Sequence, residues 1–335
     1  MDKRLKNFLE KGIEEPGKAV EEFESAIANF IGRKYGIATD SATSALHLSL
    51  ISLGIGKDDK VIIPSFVCVA LLNAIKYVGA IPAVVDVEED FNISVEKIER
   101  YLKKNKKVKA IIVPHMFGKN AKIEKIKKFG IPVIEDFTFT IGSKYKGKMS
   151  GKFGDISVCS FYYSKVLNAQ KGGIFLTDNK NIYEKAKYLS FYDKKKKYEV
   201  SFNYRMCGIV ASFGLYSFMM LRKNLERRKY LAEIYFNGLK DIDKIKLPQK
   251  TSDHIYSRFV VIGNENIRRH LIRRGVDAKK PIFRPIHSYL NLEDKNFPVT
   301  AYLFNNSFCL PLYHDMKKYE IMEIIEILKE VVKNV

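Results

Sequence analysis

The chain has 335 residues and 46% apolar content, enough to bury a sizeable core in one large or two medium domains and too apolar for wholesale disorder. Its formal net charge of +20 invites a nucleic-acid reading. The lysines, however, are spread along the chain and interleave with glutamates at helical spacing, as in 94–107, which describes a solvated surface and leaves no clustered phosphate-binding face.

Cys68, Cys159, Cys207 and Cys309 stand singly in apolar surroundings, without the paired spacing of a zinc site or a secreted disulfide framework, so a reducing cytoplasm is expected. The N-terminal stretch MDKRLKNFLEKG is charged, unlike a signal peptide, and the apolar segment 209–221 is too short to span a bilayer. Neither a membrane nor a nucleic-acid partner is expected.

In chain order, the pattern predicts a helix over 20–33, a helix with regularly spaced leucines over 43–53, a buried strand over 60–64, a helix over 68–78 and a strand over 81–87. A helix over 94–103, a strand over 108–114, a helix over 123–129 and a strand over 131–135 continue the alternation, followed by a strand-like run over 156–163. Continuous apolar strands between amphipathic helices predict an α/β fold with a mostly parallel sheet covered on both faces, whose ligands bind beyond the carboxyl ends of the strands. The lysine run 194–197 reads as a mobile loop. From 207 to 239 the pattern is one long helix, and beyond it come a strand over 258–262, a helix over 265–274 and a terminal helix over 317–332. This divides the chain into a large domain, 1–225, and a smaller C-terminal α+β domain, 226–335, joined by a helix.

Three features at predicted strand ends carry chemistry. Ser41 and Thr43, in DSATSALHL, open a helix whose free N–H groups favour an anion, although hydroxyl residues at helix starts are also common caps. Asp136 follows the apolar run IPVIE, so it should emerge at the carboxyl edge of the sheet, where Glu135 and Asp136 could equally be ordinary surface acids. Lys165 follows Phe161, Tyr162 and Tyr163, and desolvation among them would lower its pKa and make the amine nucleophilic. Alone, the first reads as a helix cap, the acids equally as surface, and Lys165 as a surface lysine. Together, an anion-binding helix start, a strand-end carboxylate and a nucleophilic lysine are what pyridoxal phosphate requires.

With these residues in place, the chain resembles the DegT/DnrJ/EryC1/StrS family of sugar aminotransferases, of the aspartate aminotransferase fold (fold type I). The resemblance runs through GKAVEEFESAIANFIG, DSATSALHLSLISLGIGKDDKVIIPSF, VPHMFGK, VIEDF, GKFGDISVCSFYYSK, FNYRM, FRPIH and CLPLY, in the family's order. It implies a large pyridoxal-phosphate-binding domain with a seven-stranded, mostly parallel sheet. It further implies that Lys165 holds the cofactor and shuttles a proton, that Asp136 pairs with the pyridine nitrogen, and that Ala42, Thr43 and Ser160 form the phosphate cup. Asn203, in FNYRM, matches an asparagine lent to the neighbouring subunit's phosphate, which implies a homodimer, and His287, in RPIH, matches a histidine near the sugar nucleotide. The implied reaction moves an amino group from L-glutamate to a nucleotide-linked ketosugar, for amino sugars of cell-surface polysaccharides or glycans.

The match has departures. Where the family stacks an aromatic ring on the cofactor this chain has Cys68, and where it carries Gln or His near the phenolic oxygen this chain has Phe139. Ala42 replaces the glycine of the phosphate loop and Lys171 the acidic or amide residue before Gly172 and Gly173. These open a rival reading, a catalytically impaired homologue with a binding or regulatory role. A dehydrating branch of the family is opposed by Lys165, which that branch replaces with histidine.

Overall fold

The computed structural model describes residues 2–193 and 195–334; Lys194, the first lysine of the 194–197 run, lies outside them, as do Met1 and Val335. Two helices, α1 (Lys3–Glu14) and α2 (Pro16–Ile31), precede the alternating region. Proline at the first turn starts α2, its apolar stripe Ala19, Phe23, Ile27 and Ile31 is buried, and Gly32 ends it at φ 83°, a left-handed value glycine adopts without steric cost.

The alternation then runs β1 (Tyr35–Thr39), α3 (Ala42–Ser52), β2 (Lys60–Pro64), α4 (Ala70–Tyr77), β3 (Ile81–Val85), α5 (Val95–Lys104), β4 (Val108–Pro114), α6 (Ile123–Lys127) and β5 (Val133–Asp136). A two-residue-strand hairpin, β6 (Lys144–Tyr145) and β7 (Lys148–Met149), leads to β8 (Ile156–Ser160), β9 (Gly173–Thr177) and α7 (Lys180–Leu189). The seven-stranded sheet has the order β1-β9-β8-β5-β4-β2-β3. β3, β2, β4, β5 and β8 are parallel, whereas β9 runs antiparallel to both β8 and β1. Successive residues of β2 enter cores on opposite faces, Val61 and Ile63 on one side and Ile62 on the other, which is why these strands read as unbroken apolar runs.

The long helix α8 (Gly208–Leu239) crosses the expected 225/226 division without a break. Its first half buries Ala211 and Leu221 with Phe23 and Ile27, and its second half buries Leu231, Tyr235 and Leu239 in the C-terminal core. That core is built on a three-stranded antiparallel sheet, ordered β10 (Ile245–Lys246), β11 (Phe259–Gly263), β12 (Ser307–Leu310). Around it lie α9 (Glu265–Arg273), α11 (Pro298–Asn306) and α12 (Lys318–Asn334), whereas Ile286 of the short α10 (Ile286–Tyr289) packs into a core of the large sheet. Buried Asp86, just past β3, accepts hydrogen bonds from the N–H groups of Val299 (3.0 Å) and Thr300 (2.9 Å) and from the Thr300 hydroxyl (2.7 Å), fastening the start of α11 to the large sheet. Among the described residues no helix is long and apolar enough to cross a membrane.

The sequence pattern did not reveal α1, β1, β9 or α7, and it carried the β8 strand three residues too far, because Tyr162 and Tyr163 turn outward into a loop after Ser160.

Candidate active site

Parallel pairing brings the carboxyl ends of β2, β4, β5 and β8 to one edge, with Pro114 opposite Asp136 and Asp136 opposite Val158. Above that edge opens a cavity of about 1290 Å³, walled on its far side by the C-terminal region through Arg258, Lys279, Lys280 and residues 309–315. Ala42, Thr43, Cys68, Asp136, Phe139, Ser160 and Lys165 all line it. Asn203 and His287 do not.

The start of α3 forms one wall. Ser41 caps the helix by accepting from the Ser44 N–H (3.1 Å), and its hydroxyl joins those of Ser44 and the carboxylate of Asp40 in one network. The cap reading holds, and because Ser41, Ala42 and Thr43 also line the cavity, the α3 start stays a candidate anion site. Gly173 backs this wall at the point where β9 begins beside β1 and β8. A Cβ there would stand 2.5 Å from the Ala42 nitrogen, so only glycine permits this approach.

Strand alternation separates the two acids at the end of β5. Glu135 is fully buried, contrary to the surface alternative. One of its oxygens accepts from His115 Nε2 (2.9 Å) and the Gly151 N–H (2.7 Å), and the other accepts from the N–H groups of Phe153 (2.8 Å) and Gly154 (2.7 Å). The Ala121 N–H donates to His115 Nδ1 (3.0 Å), which fixes Nε2 as the protonated nitrogen. Arg33 completes the clamp from the opposite side, donating to the carbonyls of Gly151 (2.8 Å) and Gly154 (2.6 Å). Burial opposes the charge of Glu135, but the donors, His115 foremost, outweigh it and hold the carboxyl below the usual range.

Asp136 behaves differently. Burial pushes its carboxyl up, and the Thr138 N–H (3.0 Å) and the nearby Lys165 only partly offset this. Among the described residues it makes no ion pair, so its charge lacks the cationic partner that burial demands. Thr138 also accepts from the Ser160 N–H (2.9 Å), tying the loop after β5 to the end of β8.

Lys165 follows β8 by a turn closed from its N–H to the Tyr162 carbonyl (2.9 Å). Its Nζ stands 4.1 Å from the centre of the Phe139 ring, and burial foremost, with the Arg258 charge adding to it, lowers its pKa. The expectation of a partly desolvated amine holds, but Phe139 supplies the closest ring described, whereas Tyr162 and Tyr163 are exposed. Cys68 opens onto the cavity, yet enough protein surrounds its thiol that burial pushes it up.

Asn203 is exposed, beside Tyr204, whose carbonyl accepts the Asp40 N–H (2.8 Å); the loop that carries it thus runs past the α3 start. His287 is 1% exposed and both ring nitrogens are engaged, Nδ1 with the Ser65 hydroxyl (2.5 Å) and Nε2 with Asp294 (2.7 Å), while its ring stacks on Phe297. In this chain it braces the segment after β2 rather than facing the cavity.

Among the cavity-lining residues that the sequence pattern did not single out is Arg258. Its only local signal is a basic residue heading an apolar strand, and its proximity to Lys165 depends on how the C-terminal region docks.

The unpartnered Asp136, the open α3 start with its glycine-only backing and the desolvated Lys165 fit pyridoxal phosphate, with a place for the ring nitrogen, the phosphate and the aldehyde respectively. Comparison with known proteins gives the same answer. Among curated relatives, GDP-perosamine synthase of Escherichia coli O157:H7 is 31% identical over 95% of this chain and 91% of its own length. UDP-4-amino-4,6-dideoxy-N-acetyl-beta-L-altrosamine transaminase of Campylobacter jejuni is 34% identical over 76% and 71%. A crystal structure of a DegT DnrJ EryC1 StrS aminotransferase from Brucella abortus superposes with a TM-score of 0.90 at 26% identity, covering 98% of this chain and 95% of that one. The Bacillus subtilis NtdA structure with bound cofactor PMP gives 0.90 at 26%, covering 99% and 83%. The model of the DegT/DnrJ/EryC1/StrS aminotransferase family matches residues 1–329, and the chain belongs to that family of pyridoxal-phosphate-dependent sugar aminotransferases.

Proposed function

We propose that this sugar aminotransferase takes an amino group from L-glutamate and delivers it to a nucleotide-linked ketosugar, working as a homodimer in the cytoplasm. The observation that carries the reading is the convergence on one cavity of an amine with a lowered pKa, a half-buried carboxylate without a cation, and a helix start. Pyridoxal phosphate supplies an aldehyde carbon that takes up the amino group and a ring that draws electrons from the donor's α-carbon.

In this reading the first-turn N–H groups of α3, with Ala42, Thr43 and Ser160, receive the phosphate. Asp136 would keep the ring nitrogen protonated and would gain from it the cationic partner that its carboxylate lacks. Thr138 holds Asp136 and the end of β8 in one register, so the ring's two anchors cannot drift apart. Lys165 would carry the proton from the donor's α-carbon, and its lowered pKa favours the neutral form that can accept it. Cys68 and Phe139, which line the cavity, would offer the ring less stacking surface and no hydrogen bond to its phenolic oxygen. Asn203, exposed beside its own α3, is free to serve the phosphate of the partner subunit.

The cavity has room beyond a cofactor, and the exposed Lys171 on its wall suits the diphosphate of a sugar nucleotide. GDP-perosamine synthase and the UDP-altrosamine transaminase named above are relatives whose names specify such carriers. Retention of both Lys165 and Asp136 in the cavity argues against the impaired-homologue reading.

The test is the visible spectrum of the protein with pyridoxal phosphate before and after L-glutamate. Replacement of the visible band by that of the amine form of the cofactor supports the reading. A protein that takes up no cofactor would overturn it, and a band that persists with glutamate but yields to another amino acid would replace the donor.

A further inference from the structure

Arg258 immediately precedes β11 and lines the same cavity as Lys165, but no carboxylate pairs with it among the described residues. Its guanidinium donates to the Pro281 carbonyl (2.6 Å) and interacts with the Cys309 thiol, both uncharged. The other basic residues of this wall are already answered. Lys279 pairs with Asp277 (2.7 Å), Lys280 with Glu265 (2.8 Å), and Arg228 is buried against the carbonyls of Tyr256 and Ser257. Lys171 is exposed and can be satisfied by water. A half-buried arginine with a planar fork of donors and no anion is a receptor for one.

Its position selects which anion. The Phe139 ring draws both cations, with Lys165 Nζ 4.1 Å and Arg258 Cζ 5.2 Å from its centre, so an anion held by Arg258 lies beside the reacting amine. In an amino acid the α-carboxylate hangs on the carbon that bears the nitrogen. In a nucleotide sugar the diphosphate is separated from the carbon to be aminated by a pyranose ring, and the cofactor's phosphate belongs at the α3 start.

We propose that Arg258 is the residue that binds the α-carboxylate of the amino donor, held by Phe139 and Pro281 at the distance from Lys165 that an α-amino acid spans. The proposal rests on the aminotransferase reading. It also explains what Phe139 contributes, since a polar side chain there would compete for the guanidinium, whereas an aromatic face positions it and leaves its donors free.

The experiment measures equilibrium binding to the cofactor-loaded protein, using α-methyl-L-glutamate and 2-aminoisobutyrate, which carry the α-carboxylate but have no α-proton to lose. The unmutated protein should respond to both by a shift of the visible band; no response to either probe or to L-glutamate sinks the aminotransferase reading itself. Arg258→Met should weaken both probes by about tenfold or more, with Arg258→Lys intermediate and GDP and UDP binding unchanged. Weakening of α-methyl-L-glutamate alone would place Arg258 on the side-chain carboxylate and overturn the proposal. So would weakening of the nucleotides alone, or a displaced band before any donor is added with donor binding unchanged, which would place Arg258 on the cofactor. Should Arg258→Met fail to fold, phenylglyoxal labelling of the unmutated protein mapped by mass spectrometry decides. Protection of Arg258 by 2-aminoisobutyrate supports the assignment, and its absence refutes it.

Discussion

Replacing Glu135 by glutamine tests whether the floor of the site is organised by a buried charge. The carboxylate accepts four hydrogen bonds of 2.7–2.9 Å, two on each oxygen, from His115 and from the N–H groups of Gly151, Phe153 and Gly154. An amide of the same shape must turn its NH₂ toward one of these pairs, leaving two buried donors facing a donor. At about 1.5–3 kcal/mol for each hydrogen bond to a charged group, the two lost bonds come to about 3–6 kcal/mol, close to the roughly 3–5 kcal/mol seen when a buried charge pair is broken. Arg33, whose Nη2 lies 4.0 Å from the carboxylate, loses its compensating charge as well. Urea unfolding followed by circular dichroism, at constant slope, measures the difference.

The pH dependence has a definite sign. The folded carboxyl lies below its ordinary value of 4.5, so its contribution is present above that pH and is lost as pH falls through the depressed folded value. That share of the acid-side loss should vanish in Glu135→Gln. A destabilisation under about 1 kcal/mol, or an unchanged acid limb, would refute the buried-charge account.

Lys165→Ala should lose both the visible band of the bound cofactor and all turnover, and retained activity would remove it from the chemistry. Asp136→Ala should retain some cofactor, held through the α3 start, but no turnover. Gly173→Ala should weaken cofactor binding by about tenfold or more, measured by dialysis and absorbance, because its methyl group would stand 2.5 Å from the Ala42 nitrogen; unchanged affinity would show that the α3 start yields easily. Asn203→Ala should weaken cofactor retention, and mixed with Lys165→Ala subunits it should regain part of the activity, since one site per heterodimer then has both residues; no recovery would argue against shared sites.

Much of this was legible in local pattern. Unbroken apolar strands between amphipathic helices specify a parallel sheet, and a parallel sheet places Asp136 and the approach to Lys165 at one edge, because all such strands end on the same side. The ordered motifs specified the family. What stayed hidden depends on pairing between distant segments. GIFLT of β9 reads like any short apolar run, and only its antiparallel place between β1 and β8 shows why Gly173 must be glycine. Glu135 and Asp136 are adjacent acids in the sequence, and the tertiary structure alone gives one to a buried clamp of His115, Arg33 and the 151–154 loop and the other to the cavity. His287 was expected near substrate, but Ser65 and Asp294 engage its two nitrogens within the chain while Phe297 stacks on its ring. Arg258 reaches Phe139 across more than a hundred residues because the C-terminal region docks over the sheet edge, and no periodicity records a contact made between two separately built surfaces.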